Sequence, residues 1–268
     1  MTPIRAFARQ YALTNGAKAS YARQLDILAK RLTWDMETVT SDDIDGYLTE
    51  ALNRLKPITV HKHRRMIVSL VRAARSQGMA TLVNRPIRRV KYTLPPVRAW
   101  SLEEMSRLLA VARQMPRGTR HCPYRVLLPA WIQVAFATGL RRCDLLAIEH
   151  HQIRGNRIAV LQEKTGHVHV AVLNESALAS IASLPKRGPK VFGGLVSSVQ
   201  IVRVIRRLVK CAGLCGTGKY LRRSSGTYAE MLGIGATRQL GHRSKDMQRF
   251  YVDEVLMSEG MPAMPALN

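Results

Sequence analysis

A tyrosine in the last quarter of the chain has neighbours that suit phosphodiester chemistry. Tyr251 lies nine residues after His242 in LGHRSKDMQRFYVDE. A phenol that attacks phosphorus forms a covalent phosphotyrosine, and negative charge then grows on the non-bridging oxygens. Arginine suits that charge because its planar fork donates two parallel hydrogen bonds. Arg141 in ATGLRRCDLLAI and Arg222 in LRRSSGTYAEML are the candidate clamps.

Cleavage also needs a proton donor for the departing sugar oxygen. Lys164, at the tip of the hairpin predicted in QEKTGHVHV, is a candidate for that role, and Asp144 could orient Arg141. No metal is needed if enough cationic donors converge. The four cysteines and eight histidines show no zinc-ligand spacing, so neither a metal site nor a cofactor is predicted.

Each of these residues alone has a plainer interpretation. A single arginine in this basic chain is more often a surface residue or a simple phosphate contact, and Lys164 alone is a turn lysine. His242 would usually begin a helix, and Tyr251 beside Phe250 would usually be half-buried packing. Only the joint occurrence of these residues favours a catalytic site.

The charge of the chain indicates a polyanionic partner. Lysine and arginine number 42 against 18 acidic residues, a net charge of +24 in 268 residues. Nucleic acid is the leading partner, because neutralising phosphates releases counterions. A membrane surface is the rival, but it would concentrate the charge in one amphipathic helix, whereas here the charge runs along the whole chain. Aromatic residues make up 6%, which favours double-stranded DNA over a base-stacking single strand.

Residues 1–83 are predicted to form a helical DNA-binding domain. Apolar residues recur at helical spacing in SYARQLDILAKRL, DDIDGYLTEAL and ITVHKHRRMIVSLVRAARSQG, with Ser41 as the expected N-cap of the second helix. The third helix carries cations away from its apolar stripe, which is typical either of a solvated face or of a DNA-facing one. The proline-rich, basic segment 84–100 is predicted to be an extended linker. The predicted DNA contacts are Lys62, Arg64, Arg65, Arg88, Arg89 and Lys91.

Residues 101–268 are predicted to form a mostly helical second domain with a small antiparallel sheet. Ser101 and Glu104 have capping-box spacing, and VLLPAWIQVAFATGL is a buried helix that Gly139 ends. The sheet is a hairpin of two strands around Thr165 and Gly166. A helix is expected to begin at Ser244, and the tail 257–268 is expected to be irregular. The lack of an apolar signal segment and the cysteine pattern favour a cytoplasmic, nucleoid-associated protein over a secreted one.

The four motifs that hold the candidate residues resemble the tyrosine recombinase family, which includes phage integrases. The motifs are ATGLRRCDLLAI, EKTGHVHVAVL, LRRSSGTYAEML and LGHRSKDMQRFYVDE, in the order the family has them. The resemblance covers residues 100–255, and the nine-residue step to Tyr251 is the family's usual one. It implies the tyrosine recombinase fold, with the helical first half in the place of the family's core-binding domain.

The resemblance also implies roles for individual residues. Tyr251 would be the nucleophile that joins a DNA 3′-phosphate, Arg141 and Arg222 would clamp the phosphate, and Lys164 would protonate the 5′-oxygen. His242 would hydrogen-bond the phosphate. At the remaining family position, usually a histidine three residues before the second arginine, this chain has Lys219. The stretch between Arg222 and His242 is also a few residues shorter than is common in the family.

The expected function is that of a site-specific recombinase or integrase of a mobile element, acting on double-stranded DNA as a homotetramer without ATP or magnesium. A partner recombinase or a DNA-bending factor is left open, and the apolar tail is a candidate for docking on a neighbouring subunit. A non-catalytic DNA-binding protein on the same scaffold and a type IB topoisomerase-like enzyme are the alternatives. The sequence does not indicate the DNA target, nor whether the reaction is integration, excision or resolution.

Overall fold

The computed structural model describes residues 2–242 and 244–258, with the side chain of Lys245 left out. The chain forms two compact units, Met1–Pro95 and Pro96–Asn268. Each unit has a hydrophobic core of its own. The predicted mainly helical architecture with a small antiparallel sheet is confirmed.

Four helices build the first unit. They are α1 (Ile4–Thr14), α2 (Ala19–Ala29), α3 (Ser41–Arg54) and α4 (Pro57–Ser76). The predicted apolar stripe of α4, which includes Ile67, Leu70 and Ala74, is buried as expected. The predicted N-cap of α3 is wrong by one residue. Thr40 caps the helix in a reciprocal capping box with Asp43, because the Thr40 hydroxyl accepts from the Asp43 amide and the Asp43 carboxylate accepts from the Thr40 amide.

The basic segment that follows α4 is packed against the first unit over part of its length. Ile87 and Val90 lie in the core of this unit. Arg64 of α4 donates to the carbonyl oxygens of Arg88 at 2.6 Å and of Ile87 at 2.8 Å. These bonds satisfy carbonyl groups of a segment that has no regular secondary structure.

The second unit begins with α5 and is dominated by helices. The bounds are α5 (Leu102–Gln114), α6 (Tyr124–Thr138), α7 (Arg142–Ala147), α8 (Glu175–Ala182), α9 (Ser198–Cys211), α10 (Lys219–Met231), α11 (Ala236–Gln239) and α12 (Glu254–Ser258). Ser101 and Glu104 form the predicted capping box at the start of α5. Helix α6 is buried nearly all round, continues through Pro129, and ends at Gly139 with a φ of 60°.

The sheet of the second unit has three antiparallel strands in the order β1-β2-β3. They are β1 (Ile153–Arg154), β2 (Arg157–Leu161) and β3 (Val168–Val172). Strand β1 was not predicted, because two residues are too few to show an alternating pattern. Strands β2 and β3 are the predicted hairpin, paired from Arg157 with Val172 to Leu161 with Val168. Their inward side chains alternate with exposed ones, which fixes the register.

The chain after α11 carries the candidate histidine and tyrosine. The helix expected from Ser244 is instead a 3-10 helix over Lys245–Phe250, with Ser244 as its N-cap and Tyr251 at its C-terminal end. The greater part of the predicted irregular tail, residues 259–268, lies outside the described residues. No helix in the described part of the chain is both long and apolar enough to cross a membrane.

Candidate active site

The C-terminal end of α6 places the first arginine. Gly139 takes the left-handed conformation that lets the chain turn sharply, and Arg141 follows as the N-cap of α7. Its side chain is 16% exposed, and Nη1 donates to Gln162 Oε1 at 2.7 Å. The same nitrogen lies 3.8 Å from Oδ2 of Asp144, which is fully buried. Two acceptors from different elements therefore orient the Arg141 guanidinium.

The second arginine, Arg222, projects from the first turn of α10 into the interior and is 6% exposed. Nη1 donates to the Gly139 carbonyl, and Nη2 donates to the Leu240 carbonyl at 2.8 Å and to His242 Nε2 at 3.0 Å. Its Nε is buried and has no hydrogen-bond partner among the described residues. The end of α6 and the loop after α11 are therefore held on one guanidinium.

Burial and the nearby charge of Arg141 together lower the pKa of Arg222 to about 10. Interaction with Tyr251 acts in the opposite direction. The guanidinium remains charged at neutral pH, so the pocket holds a cation that protein atoms neutralise only in part. Such a pocket favours an anion.

Tyr251 lies against both the arginine and the histidine. Its ring centroid is 5.2 Å from Arg222 Cζ and 4.7 Å from the His242 ring centroid. The backbone around Tyr251 is fixed as well, because its N–H donates to the Gln248 carbonyl at 2.8 Å and its carbonyl accepts from the Thr227 hydroxyl at 3.4 Å. The tyrosine, the histidine and the buried arginine therefore share one pocket.

His242 is neutral in this pocket. Burial, together with the charges of Arg222, Arg141, Lys164 and His169, lowers its pKa to about 4. Since arginine can only donate, Nε2 of the ring accepts the bond from Arg222 and the proton lies on Nδ1. Nδ1 is buried without a partner among the described residues.

Lys164 lies on the turn between β2 and β3, and its side chain is exposed. The turn is anchored beneath it, because the Glu163 amide donates to Asp144 Oδ1 at 3.1 Å and the Thr165 hydroxyl donates to Gln162 Oε1 at 2.9 Å. Lys164 acts on His242 through its charge. The turn therefore holds the lysine at the border of the pocket.

Lys219 is a predicted catalytic residue with no bond to the other catalytic candidates among the described residues. It is the first residue of α10 and is exposed, and its amide donates to Thr217 Oγ1 at 3.4 Å. Within residues 2–242 and 244–258, its side chain makes no hydrogen bond or ion pair with the remaining candidates. The pocket is therefore assembled from Arg141, Arg222, His242 and Tyr251, with Lys164 near it.

Two pocket residues were missed by the sequence analysis. Gln162 is fully buried and bonds to Arg141, while His169 is buried and its Nε2 lies 3.0 Å from the Thr138 carbonyl. Burial of His169 lowers its pKa. The sequence pattern could have identified both as inward-facing. Gln162 continues the inward positions of β2 after Val160, and His169 precedes the inward Ala171 in β3. A polar side chain in an inward register needs a buried partner.

The predicted DNA contacts all belong to the first unit. Five of them have exposed side chains, namely Lys62, Arg65, Arg88, Arg89 and Lys91. Arg64 differs, because it is half-buried and its guanidinium is bonded to backbone carbonyls. That guanidinium is engaged by the protein itself, so phosphate contact by Arg64 is less favourable than contact by its exposed neighbours.

No group of three histidine, cysteine, aspartate or glutamate side chains within the described ranges could hold a metal ion. The pocket instead combines two guanidinium groups, a neutral imidazole and a phenol. Such donors stabilise a phosphate anion, and the phenol supplies an oxygen nucleophile.

The chain matches no protein-family model and no curated protein sequence. It is similar to several solved structures. A lambda integrase dimer bound to a COC′ core site is 19% identical with a TM-score of 0.71, covering 97% of this chain and 96% of that one. The Tn1549 transposon integrase in complex with circular intermediate DNA is 16% identical with a TM-score of 0.74, covering 94% and 95%.

A third solved structure is XerH, a site-specific recombinase bound to a palindromic difH substrate in a post-cleavage complex. It is 13% identical with a TM-score of 0.69, covering 90% of this chain and 76% of that one. At identities this low, the structural similarity establishes the fold and nothing more. The chain therefore has the tyrosine recombinase fold, in which a mostly helical unit with a three-stranded antiparallel sheet carries the pocket around Arg222.

Proposed function

We propose that this protein is a site-specific DNA recombinase of the integrase type, which cleaves and rejoins DNA strands through a 3′-phosphotyrosine intermediate. The observation that carries the proposal is the packing of the Tyr251 ring against the buried Arg222 guanidinium and the His242 ring. The fold it shares with DNA-bound integrases supports the same function.

In the proposed reaction the scissile phosphate enters beside Arg141 and Arg222, which bind its non-bridging oxygens. The Tyr251 hydroxyl loses its proton to solvent water, and its oxygen bonds to phosphorus while the bond from phosphorus to the 5′-oxygen breaks. Lys164 gives a proton to that departing oxygen. His242 donates through its Nδ1–H, which has no partner among the described protein atoms. The phosphodiester energy is kept in the tyrosyl ester, so the reverse attack by a new 5′-hydroxyl rejoins DNA.

We further propose double-stranded DNA as the partner and a homotetramer as the acting assembly, because strand exchange needs two duplexes with two cleaving subunits each. Lambda integrase has been solved as a dimer on a core site and as a tetramer on a Holliday junction. A partner recombinase or a bending factor is compatible with this assembly. The exposed cations of the first unit would contact backbone phosphates.

The test is covalent capture of DNA. The protein is incubated with a pool of nicked duplexes of random sequence, in which the short strand downstream of a cleaved phosphate diffuses away and traps the intermediate. SDS-resistant adducts are recovered and sequenced. We expect adducts on a narrow set of sequences for the wild-type protein and for Tyr124→Phe, a matched substitution in the same unit. Tyr251→Phe should give none, because the attacking oxygen is absent.

Three outcomes would contradict the proposal. Retardation of duplexes by the wild-type protein without any adduct indicates a non-catalytic DNA-binding protein. An adduct that persists in Tyr251→Phe assigns the nucleophile to another residue. Relaxation of a supercoiled plasmid that lacks the recovered sequence indicates a topoisomerase-like activity.

A further inference from the structure

Gln162 has no role in the proposed chemistry, yet its side chain makes three hydrogen bonds around the pocket. It follows β2 and is fully buried. Its Oε1 accepts from Arg141 Nη1 at 2.7 Å and from the Thr165 hydroxyl at 2.9 Å. Its Nε2 donates to the Leu240 carbonyl at 3.3 Å. One amide side chain therefore joins α7, the hairpin turn and the loop after α11.

Each of these three contacts leads to a residue of the proposed chemistry. Arg141 is itself a proposed clamp, and Thr165 follows Lys164 directly in the turn. The Leu240 carbonyl also accepts from Arg222 Nη2, and His242 lies two residues further on. The amide has no reactive group that could attack or protonate a phosphate, so its effect on catalysis must act through these neighbours.

The surrounding backbone packs closely against the Gln162 side chain. A Cβ atom built on Gly241, whose φ is 60°, would lie 2.8 Å from Gln162 Nε2 and 2.9 Å from His169 Nδ1. The glycine thus allows the loop to pass directly over the amide. The backbone of Gln162 is fixed as well, because its backbone N–H donates to the His167 carbonyl at 2.7 Å.

We propose that Gln162 is a positioning residue that fixes Arg141 and the Lys164 turn relative to the His242 loop. The inference rests on the proposed DNA cleavage. The proposed clamp Arg141 and the proposed proton donor Lys164 come from different elements, and a displacement of about 1 Å costs on the order of 100-fold in rate. The buried side-chain amide of Gln162 bonds to Arg141 and to the Lys164 turn, and so keeps them at a fixed distance from each other.

The first test compares Gln162→Met with Gln133→Met. Methionine keeps the length of the side chain and removes all three hydrogen bonds. Gln133 is a matched control, since its side-chain amide on α6 donates to Ser180 Oγ at 2.8 Å and, within the described part of the chain, makes no hydrogen bond to a proposed catalytic residue. Single-turnover cleavage of a nicked duplex recovered with the wild-type protein should fall on the order of 100-fold in Gln162→Met, with unchanged duplex affinity. Gln133→Met should cleave at the wild-type rate.

Gln162→Glu distinguishes positioning from packing. The carboxylate keeps the acceptor for Arg141 and Thr165, loses the donor to the Leu240 carbonyl, and adds a negative charge beside Arg141. We expect Gln162→Glu to cleave faster than Gln162→Met, because Arg141 and the Lys164 turn keep their acceptor, and more slowly than the wild-type protein, because the link to the Leu240 carbonyl is lost. A Gln162→Glu rate no higher than that of Gln162→Met would overturn the inference, because it would show that keeping the Arg141 and Thr165 contacts restores no cleavage.

A second readout needs neither DNA nor activity. The cations Arg141 and Lys164 contribute to the low pKa of His242, so the imidazole reports their distance. An NMR titration of the His242 ring should show a higher pKa in Gln162→Met than in the wild-type protein, because the freed cations move away. An unchanged pKa would overturn the inference. If Gln162→Met does not fold, Thr165→Val, which removes one donor to Oε1, should raise the pKa and slow cleavage in the same directions, and no change in either would overturn it.

The two proposals fail separately. A wild-type protein that forms no adduct refutes DNA cleavage, while the titration still tests whether Gln162 holds the two cations. A wild-type protein that cleaves, together with a Gln162→Met variant that cleaves as fast, refutes only the role of Gln162.

Discussion

Arg222 has a structural task in addition to the proposed chemical one. Its two terminal nitrogens satisfy the carbonyl groups of Gly139 and Leu240 in the interior. Removing a partner from a buried acceptor costs about 1–3 kcal/mol, so loss of this side chain weakens the fold as well as the pocket. The same buried charge is what makes the pocket attractive to an anion, since a guanidinium out of water gains most from a charged partner.

His242 should make the stability of the second unit sensitive to acid. Its ring takes up a proton near 6.5 in the unfolded chain and only near 4 in the fold. Between these values the unfolded state binds more protons, so the free energy of unfolding falls as the pH drops from about 6.5 to about 4. The expected contribution is about 1–2 kcal/mol after discounting for solvent screening.

Denaturant unfolding at a series of pH values measures this effect. His242→Gln should show a shallower fall over the same window, because the titrating group is absent. His63 and His169, whose pKa values burial also lowers, add to the fall in both proteins. Identical pH profiles for the wild-type protein and His242→Gln would contradict the assignment.

Two glycines with a positive φ let the chain turn sharply at the pocket, one at the end of α6 and one after α11. Gly139 and Gly241 both have a φ of 60°, and both are crowded. A Cβ on Gly139 would lie 2.7 Å from Leu240 Cδ2 and 3.1 Å from the Gln239 carbonyl oxygen. The glycines therefore allow close passage of one loop over another as well as an unusual backbone angle.

Gly139→Ala should destabilise the protein more than Gly155→Ala. Both positions have a positive φ, 60° and 59°, so both pay the backbone strain of a left-handed alanine. Gly155 has nothing within 4 Å of an added Cβ, whereas Gly139 meets the Leu240 loop. We expect an extra loss of about 1–3 kcal/mol at Gly139 from overpacking, measured by denaturant unfolding of the two variants. Equal losses would show that Leu240 moves aside freely.

At the scale of the whole molecule, the excess of 24 positive charges would drive association with DNA, the proposed partner, without selecting a sequence. Few of the cations are neutralised by acids. The ion pairs in the described ranges include Arg54 with Glu50 and Arg107 with Glu103, both at spacing i, i+4 on exposed helix faces. Lys62, Arg65, Arg88, Arg89 and Lys91 are exposed and form no ion pair in the described ranges, so we expect them to be available for phosphates.

The double variant Arg88→Ala, Arg89→Ala should weaken duplex binding and make it less sensitive to salt. Each lost phosphate contact lowers the slope of log affinity against log salt by about 0.9, so the slope should fall by about 2. Arg54→Ala with Arg107→Ala is the matched control, because it removes the same net charge from two ion-paired positions. Fluorescence anisotropy between low and high salt measures both. An equal fall in slope for the two variants would indicate that only net charge matters.

Local patterns in the sequence determined the helices, the hairpin and the residue types of the candidate site. Apolar spacing predicted the buried face of α4, the spacing of Ser101 and Glu104 predicted the capping box, and Gly139 predicted the end of α6. Each of these features depends on residues within a few positions. The charge excess needs no fold to indicate a polyanionic partner. These features are local, or they are sums over the chain.

The tertiary structure alone decided which candidates meet. Arg222, His242 and Tyr251 converge because carbonyl groups of two distant loops bond to one buried guanidinium, whereas Lys219, only three residues from Arg222, stays exposed. Gln162 became visible as the link between Arg141 and the Leu240 loop for the same reason. Contacts across 18 to 83 residues depend on how packed elements cross, which no local pattern encodes.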